Sequence, residues 1–463
     1  MLSIVTAGLF ASGQTSTTLY GLRTIPQSSY QNPAFFPVET KFVMSIPAIS
    51  GISTGIYNTA FSFDELFDKN GEYDSLYLNL DPIINKNAGI NKSVAGFEHD
   101  LFMFGFQTGG TFITFGMKQR FAAGAIYSDD LLKFLWQGNN IGENSNLDFS
   151  NSYINELHLF DYHFGMSITA GQALNIGFRI HLLQGLSNIS LENNTLNLKT
   201  FYDANNVYRI TGNTDFNLHT SGLSFLSDSV TFSGTSYFFD FKNFGFALDF
   251  GIDMKISEQI RLTASVSDLG SVSWRNDVNN QISTADSINF AGIAVDILND
   301  TNIMERYADT IKNLLKLKTD TLIYTTSLNP LMMISGEYYS FNLRDRLSFL
   351  FAGRFEKNGF EPFASLSYDR KVSEKFTYKF TYTYLKYAPL TFGAGMVFHF
   401  KPFQFYLLAD NIFQFVLPKR QRFFQISMGL NIKIPGYKHK TIKEKTEQNY
   451  RNLNIITPDI VDF

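Results

Sequence analysis

The chain has 463 residues, carries a formal net charge of −4 and contains no cysteine. The near-neutral balance, without a basic patch, excludes a nucleic-acid partner, and the lack of Cys excludes a disulfide scaffold and thiolate-ligated metal. Mean hydropathy is −0.07 and no run of about 18 apolar residues occurs, which excludes a helical membrane protein; yet 48 Phe and 23 Tyr exceed the need of a soluble fold and suit the lipid-facing band and aromatic girdles of a membrane barrel.

In chain order, residues 1–12 form a short apolar run ending in small residues. It resembles the core of a secretory signal peptide without its charged start, so residues 1–13 are expected to be a leader. Pro26, Pro33 and Pro37 make residues 14–40 a poor barrel stave. Residues 41–63 read as extended, with breaks at Pro47 and Gly51, and residues 64–92 as a long polar loop. Strands are expected over 94–107, 111–117 and 121–127, followed by an Asn-rich loop at 138–156.

Two clear strands follow. In residues 159–168, Phe160, Tyr162, Phe164, Met166 and Ile168 alternate with Asp161, His163, Gly165 and Ser167. In 175–182, Ile176, Phe178, Ile180 and Leu182 alternate with Gly177, Arg179 and His181. Residues 186–241 are ambiguous and leave room for a hairpin above a membrane. Residues 243–254 alternate without a break: three Phe, Leu248, Ile252 and Met254 on one face, Gly245, Ala247, Asp249, Gly251 and Asp253 on the other. Such a ribbon suits lipid on one side and water on the other.

The strand at 259–268 places Arg261 on the polar side, and residues 269–326 form the longest insertion. Within it Ile303, Tyr307, Ile311 and Leu315 recur at helical spacing, predicting an amphipathic helix over 302–318. Seven further strands run to about residue 434. The pattern predicts an all-β, transmembrane antiparallel barrel of 14–16 strands over 41–434, with a solvated periplasmic tail at 435–463. Short turns alternate with long loops, which puts the chain end on the periplasmic side.

No catalytic signature occurs, and the chain reads as a non-enzyme without a cofactor. Asp249 and Asp253 lie about 13 Å apart by strand rise, too far for acid–base work on one bond. Ser167 beside His163 is the only faint nucleophile–base pairing. His163 and His181, near Asp161, could meet across adjacent strands; a hydrogen-bond network is preferred there to a metal site. The lumen polar set is therefore Asp161, His163, Arg179, His181, Asp249, Asp253 and Arg261, with Arg261 the expected partner of the carboxylates.

The run Ile25-Pro26-Gln27, then Asn32-Pro33-Ala34-Phe35, then Ser45-Ile46-Pro47, together with Ala264-Ser265-Val266-Ser267-Asp268-Leu269-Gly270 and Trp274, resembles FadL/PorV-like outer-membrane barrels of Bacteroidota. It is most similar to an uncharacterised group of them, over residues 19–434. The resemblance implies an N-terminal hatch inside the barrel in which Asn32, Pro33, Ala34 and Phe35 help to close the pathway. It implies outer-membrane lipid around the chain and passage of hydrophobic or small amphipathic solutes, with a hydrophobic small molecule as ligand. The alternative is a non-transporting barrel that partners a lipoprotein or type IX secretion or gliding machinery. A soluble β-sandwich adhesin would need the apolar faces paired inside the molecule.

Overall fold

The computed structural model describes residues 15–35, 37, 40–70, 75–85, 89–137, 146–150, 152–202, 208–224, 238–284, 287–290, 312–356, 359–386 and 388–436. The expected leader at 1–13 lies outside the described residues, as does all but the first two residues of the expected tail.

Fourteen antiparallel strands close into one barrel. They are β1 (Thr40–Ser45, resumed at Ile52–Asn58), β2 (Ile90–Thr108), β3 (Thr111–Ser128), β4 (Tyr153–Ala170), β5 (Leu174–Asn194), β6 (Phe244–Lys255), β7 (Ile260–Trp274), β8 (Leu331–Tyr339), β9 (Asp345–Glu356), β10 (Gly359–Ser373), β11 (Phe376–Leu385), β12 (Ala388–Phe400), β13 (Phe403–Ala409) and β14 (Phe423–Pro435). Both halves of β1 pair with β2 on one side and β14 on the other, which closes the sheet and removes its edges. The break in β1 falls where Pro47 and Gly51 stand.

The side-chain pattern is that of a soluble sheet turned inside out. On β6, Phe244, Phe246, Phe250, Ile252 and Met254 are exposed while Gly245, Ala247, Asp249, Gly251 and Asp253 are buried. Phe250 is 48% exposed and Asp253 1%; in a water-soluble protein those values would be exchanged. The same holds around the ring, from Phe104 and Phe115 to Phe349, Phe380 and Phe405, all exposed. The apolar faces therefore meet lipid and not one another, which removes the soluble-sandwich reading. No helix among the described residues is long and apolar enough to cross a membrane.

The two ends differ in their connections. Tight turns join β2–β3, β4–β5, β6–β7, β8–β9, β10–β11 and β12–β13 at one end, where β1 begins and β14 ends; at the other end the long β1–β2, β3–β4, β5–β6, β7–β8 and β13–β14 connections stand beside the short β9–β10 and β11–β12 turns. At that long-loop end four short strands, Asn146–Asp148, Asn197–Tyr202, Tyr208–Asn213 and Ile288–Phe290, form a separate sheet. It rests on its own core of Leu147, Phe149, Leu198, Ile210, Ile288 and Leu315.

Four expectations need correction. Residues 111–117 and 121–127 form one strand, because Lys118 and Arg120 point into a polar lumen and so need no break. β7 runs to Trp274, past residue 268, by way of a bulge with Asp268 at φ 62°; its carboxyl-terminal part pairs with Tyr324–Ser327. The loop expected at 64–92 holds a hairpin, Phe67–Asn70 with Ser75–Leu78, and already includes the start of β2. The helix expected over 302–318 lies outside the described residues up to residue 311; of the rest, 312–314 are helical, and Leu317–Asp320 is a strand paired with Asn280–Ser283.

Candidate functional site

Residues 15–35 contain no strand and lie against the inward faces of the barrel. After the single 3-10 turn Pro26–Tyr30, the chain folds at Asn32-Pro33-Ala34-Phe35. Pro33 fixes its own φ, Ala34 N donates to Asn32 Oδ1 at 2.9 Å, and Phe35 N donates to Asn32 O at 2.9 Å. The Asn32 Nδ2 group donates outward to Ile252 O at 3.2 Å and Ala264 O at 3.3 Å.

The wall is shaped to receive this turn. Ser167, Gly177, Gly251 and Ser265 are successive cross-strand partners on β4, β5, β6 and β7. Together they make a trough of small side chains. Ser167 Oγ donates to Ala34 O at 3.3 Å, and Ser265 Oγ to Gln31 O at 2.8 Å. A Cβ on Gly177 would overlap the Pro33–Ala34 backbone, and one on Gly251 the Asn32 carboxamide. Glycine is used here for close backbone approach. Phe35 leaves the trough to meet Tyr20 edge-on at 5.2 Å, over a lumen patch of Leu331, Met333, Leu350 and Ala352.

The rest of the segment is held by charges. Arg23 binds Asp253 through Nε at 2.8 Å and Nη2 at 3.2 Å, and Glu337 through Nη1 at 2.8 Å. Arg261 also binds Asp253, at 2.9 Å, and Arg346 binds Glu337 at 3.2 Å and Asp369 through Nε at 2.8 Å. Three guanidinium groups thus face three carboxylates, which is what makes their burial tolerable. Backbone carbonyls are gripped as well: Arg346 Nη1 donates to Gly21 O, Lys379 Nζ to Tyr20 O and Lys433 Nζ to Thr24 O, each at 2.6 Å. At the segment's start, Thr17 Oγ1 and Thr18 N donate to Asp410 Oδ1, whose carboxyl is pushed up by burial. Burial also raises the Tyr20 phenol to about 12, so it stays protonated in its 2.7 Å hydrogen bond with Thr263.

The expected lumen residues divide into two groups. Asp161, His163, Arg179, His181 and Asp249 come together. His181 sits between two carboxylates, with Nδ1 2.8 Å from Asp161 and Nε2 2.9 Å from Asp249, and the His163 and His181 rings are 6.1 Å apart. Arg179 turns from this group to the segment, donating to Ser29 O at 2.8 Å and Ser29 Oγ at 3.0 Å. Asp253 and Arg261 belong to the separate Arg23 cluster. Ser167 engages Ala34 and not His163. Among the described residues no His, Asp and Glu group is arranged to hold a metal.

Beside a gap of about 10 Å³ next to Pro33 and Phe35, two larger spaces adjoin the segment. One, of about 110 Å³, is lined by Glu98, Asp161, Asp249 and Asp268 and by Lys118, Arg120, Arg179 and Arg354; it has room for a few waters. The other, of about 70 Å³, has Tyr57, Val94, Phe363 and Leu385 on one side and Lys92, Glu356 and Glu361 on the other, where Lys92 pairs with both carboxylates. Thr15 and Arg354, hydrogen-bonded at 2.7 Å, border both.

Sequence reasoning missed Arg23, Glu337, Arg346, Lys379 and Arg120. Glu337 and Lys379 occupy the polar parity of their strands, and that signal was available. Arg23 offered less, since its partners are 230 and 314 residues away.

No curated protein matches the chain. Among solved structures it is similar to the Pseudomonas putida toluene transporter TodX, at 10% identity, covering 91% of this chain and 94% of that one with a TM-score of 0.37. A Pseudomonas aeruginosa FadL homologue matches at 10% identity over 93% and 100% of the two chains, with a TM-score of 0.44. A family model described as DUF5723, a family of unknown function, matches residues 33–410. That match begins in the turn seated on the glycine trough and ends just past β13, and the chain belongs to the DUF5723 family.

Proposed function

We propose that this protein is an outer-membrane transporter whose residues 15–35 act as a hatch, admitting hydrophobic or small amphipathic solutes when the hatch moves. The observation that carries the reading is the manner of closure. The segment lies against the inward faces of the strands beside two water-sized spaces, and its ties are hydrogen bonds, ion pairs and apolar contacts that can be remade. The half-apolar, half-charged space at Lys92 and Phe363 favours an amphipathic solute at the mouth. The short turns then face the periplasm and the long loops the outside.

The test is entry of radiolabelled hexanoate and toluene into cells with an intact lipopolysaccharide outer membrane. Cells producing the full chain are expected to take up at least one of them several-fold faster than cells without it. Equal entry of both, with the barrel confirmed in the outer membrane, would sink the transport reading. Crosslinking that recovered a stoichiometric lipoprotein or secretion component would then favour an interaction role, for which the small loop-side sheet offers a surface.

A further inference from the structure

The connection between β13 and β14 is a rigid step that continues the lipid-facing band beyond the barrel wall. Asn411 Nδ2 donates to Phe423 O at 2.9 Å and to Gln421 Oε1 at 2.9 Å. Gln414 ties the same loop to β14, accepting from Gln425 N at 2.9 Å and donating to Gln425 O at 3.3 Å. With Gln414 turned inward, the short helix Phe413–Val416 must turn its apolar side chains outward. Phe413 packs edge-on against Phe392, a lipid-facing residue of β12, at 5.8 Å. Beyond it Phe415 is 60% exposed, Val416 71% and Leu417 46%. Three adjacent large apolar side chains left in water would be an unstable surface; their continuity with Phe392 says that lipid covers them.

The chain then turns basic at once, with Pro418-Lys419-Arg420-Gln421-Arg422. Arg422 is already satisfied, its Nη2 donating to both Glu65 oxygens at 2.9 and 2.7 Å. Among the described residues the ion-pair partner of Arg420 is Asp64, at 3.5 Å, and the pair is open to solvent at 73% and 44% side-chain exposure, so it competes weakly for the guanidinium. No ion pair within the described residues engages Lys419. The order is therefore acyl-chain contact first and weakly engaged cations directly after it, the layout of an interfacial anchor that meets phosphate in the headgroup layer.

We propose that the β13–β14 loop binds a phosphorylated glycolipid of the outer leaflet, lipid A, with Phe415, Val416 and Leu417 against its acyl chains and Lys419 and Arg420 on its phosphates. The proposal rests on the outer-membrane orientation given above. The experiment titrates the detergent-purified full chain with lipid A or with dephosphorylated lipid A and reads bound lipid by native mass spectrometry. Lipid A is expected to bind at least tenfold more tightly than its dephosphorylated form. Lys419→Gln/Arg420→Gln should abolish that preference, and Phe415→Ser/Val416→Ser should weaken both lipids. Each variant is first checked for the compact band of a folded barrel in an unheated gel. Equal binding of the two lipids, or a preference that survives the Lys419→Gln/Arg420→Gln change, overturns the site. Flotation with phosphatidylcholine vesicles reads the membrane barrel separately: a chain that floats but does not discriminate loses the lipid A site and keeps the barrel.

Discussion

Arg23→Ala is expected to free the N-terminal segment while leaving the barrel standing. Arg23 is the one cation of the six-member cluster that belongs to the segment, and it binds both Asp253 and Glu337. Removing one partner of a buried ion pair typically costs about 3–5 kcal/mol, much of it from the charge left behind. Here Asp253 keeps Arg261 and Glu337 keeps Arg346, so the loss should fall near the low end, about 3 kcal/mol. That amounts to roughly a 100-fold rise in the population of the released state. Arg23→Lys should fall between, because an ammonium cannot span two carboxylates with a planar fork. The readouts are limited proteolysis of residues 15–35 in the folded barrel, expected to accelerate strongly, and uptake of whichever probe the wild-type chain admits. Unchanged proteolysis would mean that Arg23 does not hold the segment.

The fold was open to sequence reasoning because its signal is periodic and repeated. An exposed Phe and a buried Asp can alternate over twelve residues, as in Phe244–Lys255, only if solvent and lipid exchange their usual sides. Each strand states this independently, so errors at single boundaries do not accumulate. The site was legible in part. Strand parity alone places Asp161, His163, Arg179, His181, Asp249 and Asp253 inward. Which of them meet depends on register, and register is set by bulges such as the one at Asp268 that no local pattern announces. Arg23 was hidden for a different reason. A segment without regular structure has no parity, and its partners on β6 and β8 are fixed by the closure of the whole ring. Of the loop-side sheet, the pair Asn197–Tyr202 and Tyr208–Asn213 falls where a hairpin had room within 186–241; the sheet as a whole escaped because its strands are three to six residues long and drawn from three separate insertions.

The glycine trough makes the second large expectation. Gly177 and Gly251 are direct cross-strand partners beneath Asn32-Pro33-Ala34, and a side chain at either position would occupy space already filled by that turn. The strands cannot retreat, since each is bonded on both sides within a closed wall, so the turn must give way. Overpacking of this kind typically costs about 1–3 kcal/mol per site, and Gly177→Val/Gly251→Val should lift the turn off Ser167 and Ser265 altogether. Both backbone positions accept a β-branched residue as ordinary strand, so the wall itself is expected to tolerate the change. Gly177→Ala alone should be milder and graded. Asn32→Ala approaches the same contact from the other side, removing two donated bonds to the wall and the Ala34 cap without adding bulk. Lifting the turn leaves the Arg23 cluster in place, so the double valine variant should open residues 31–35 to protease before residues 15–24, whereas Arg23→Ala, which leaves the turn in its trough, should open residues 15–24 first. If both variants yielded the same cleavage order, the trough and the ion cluster would be one cooperative latch and not two separable ones.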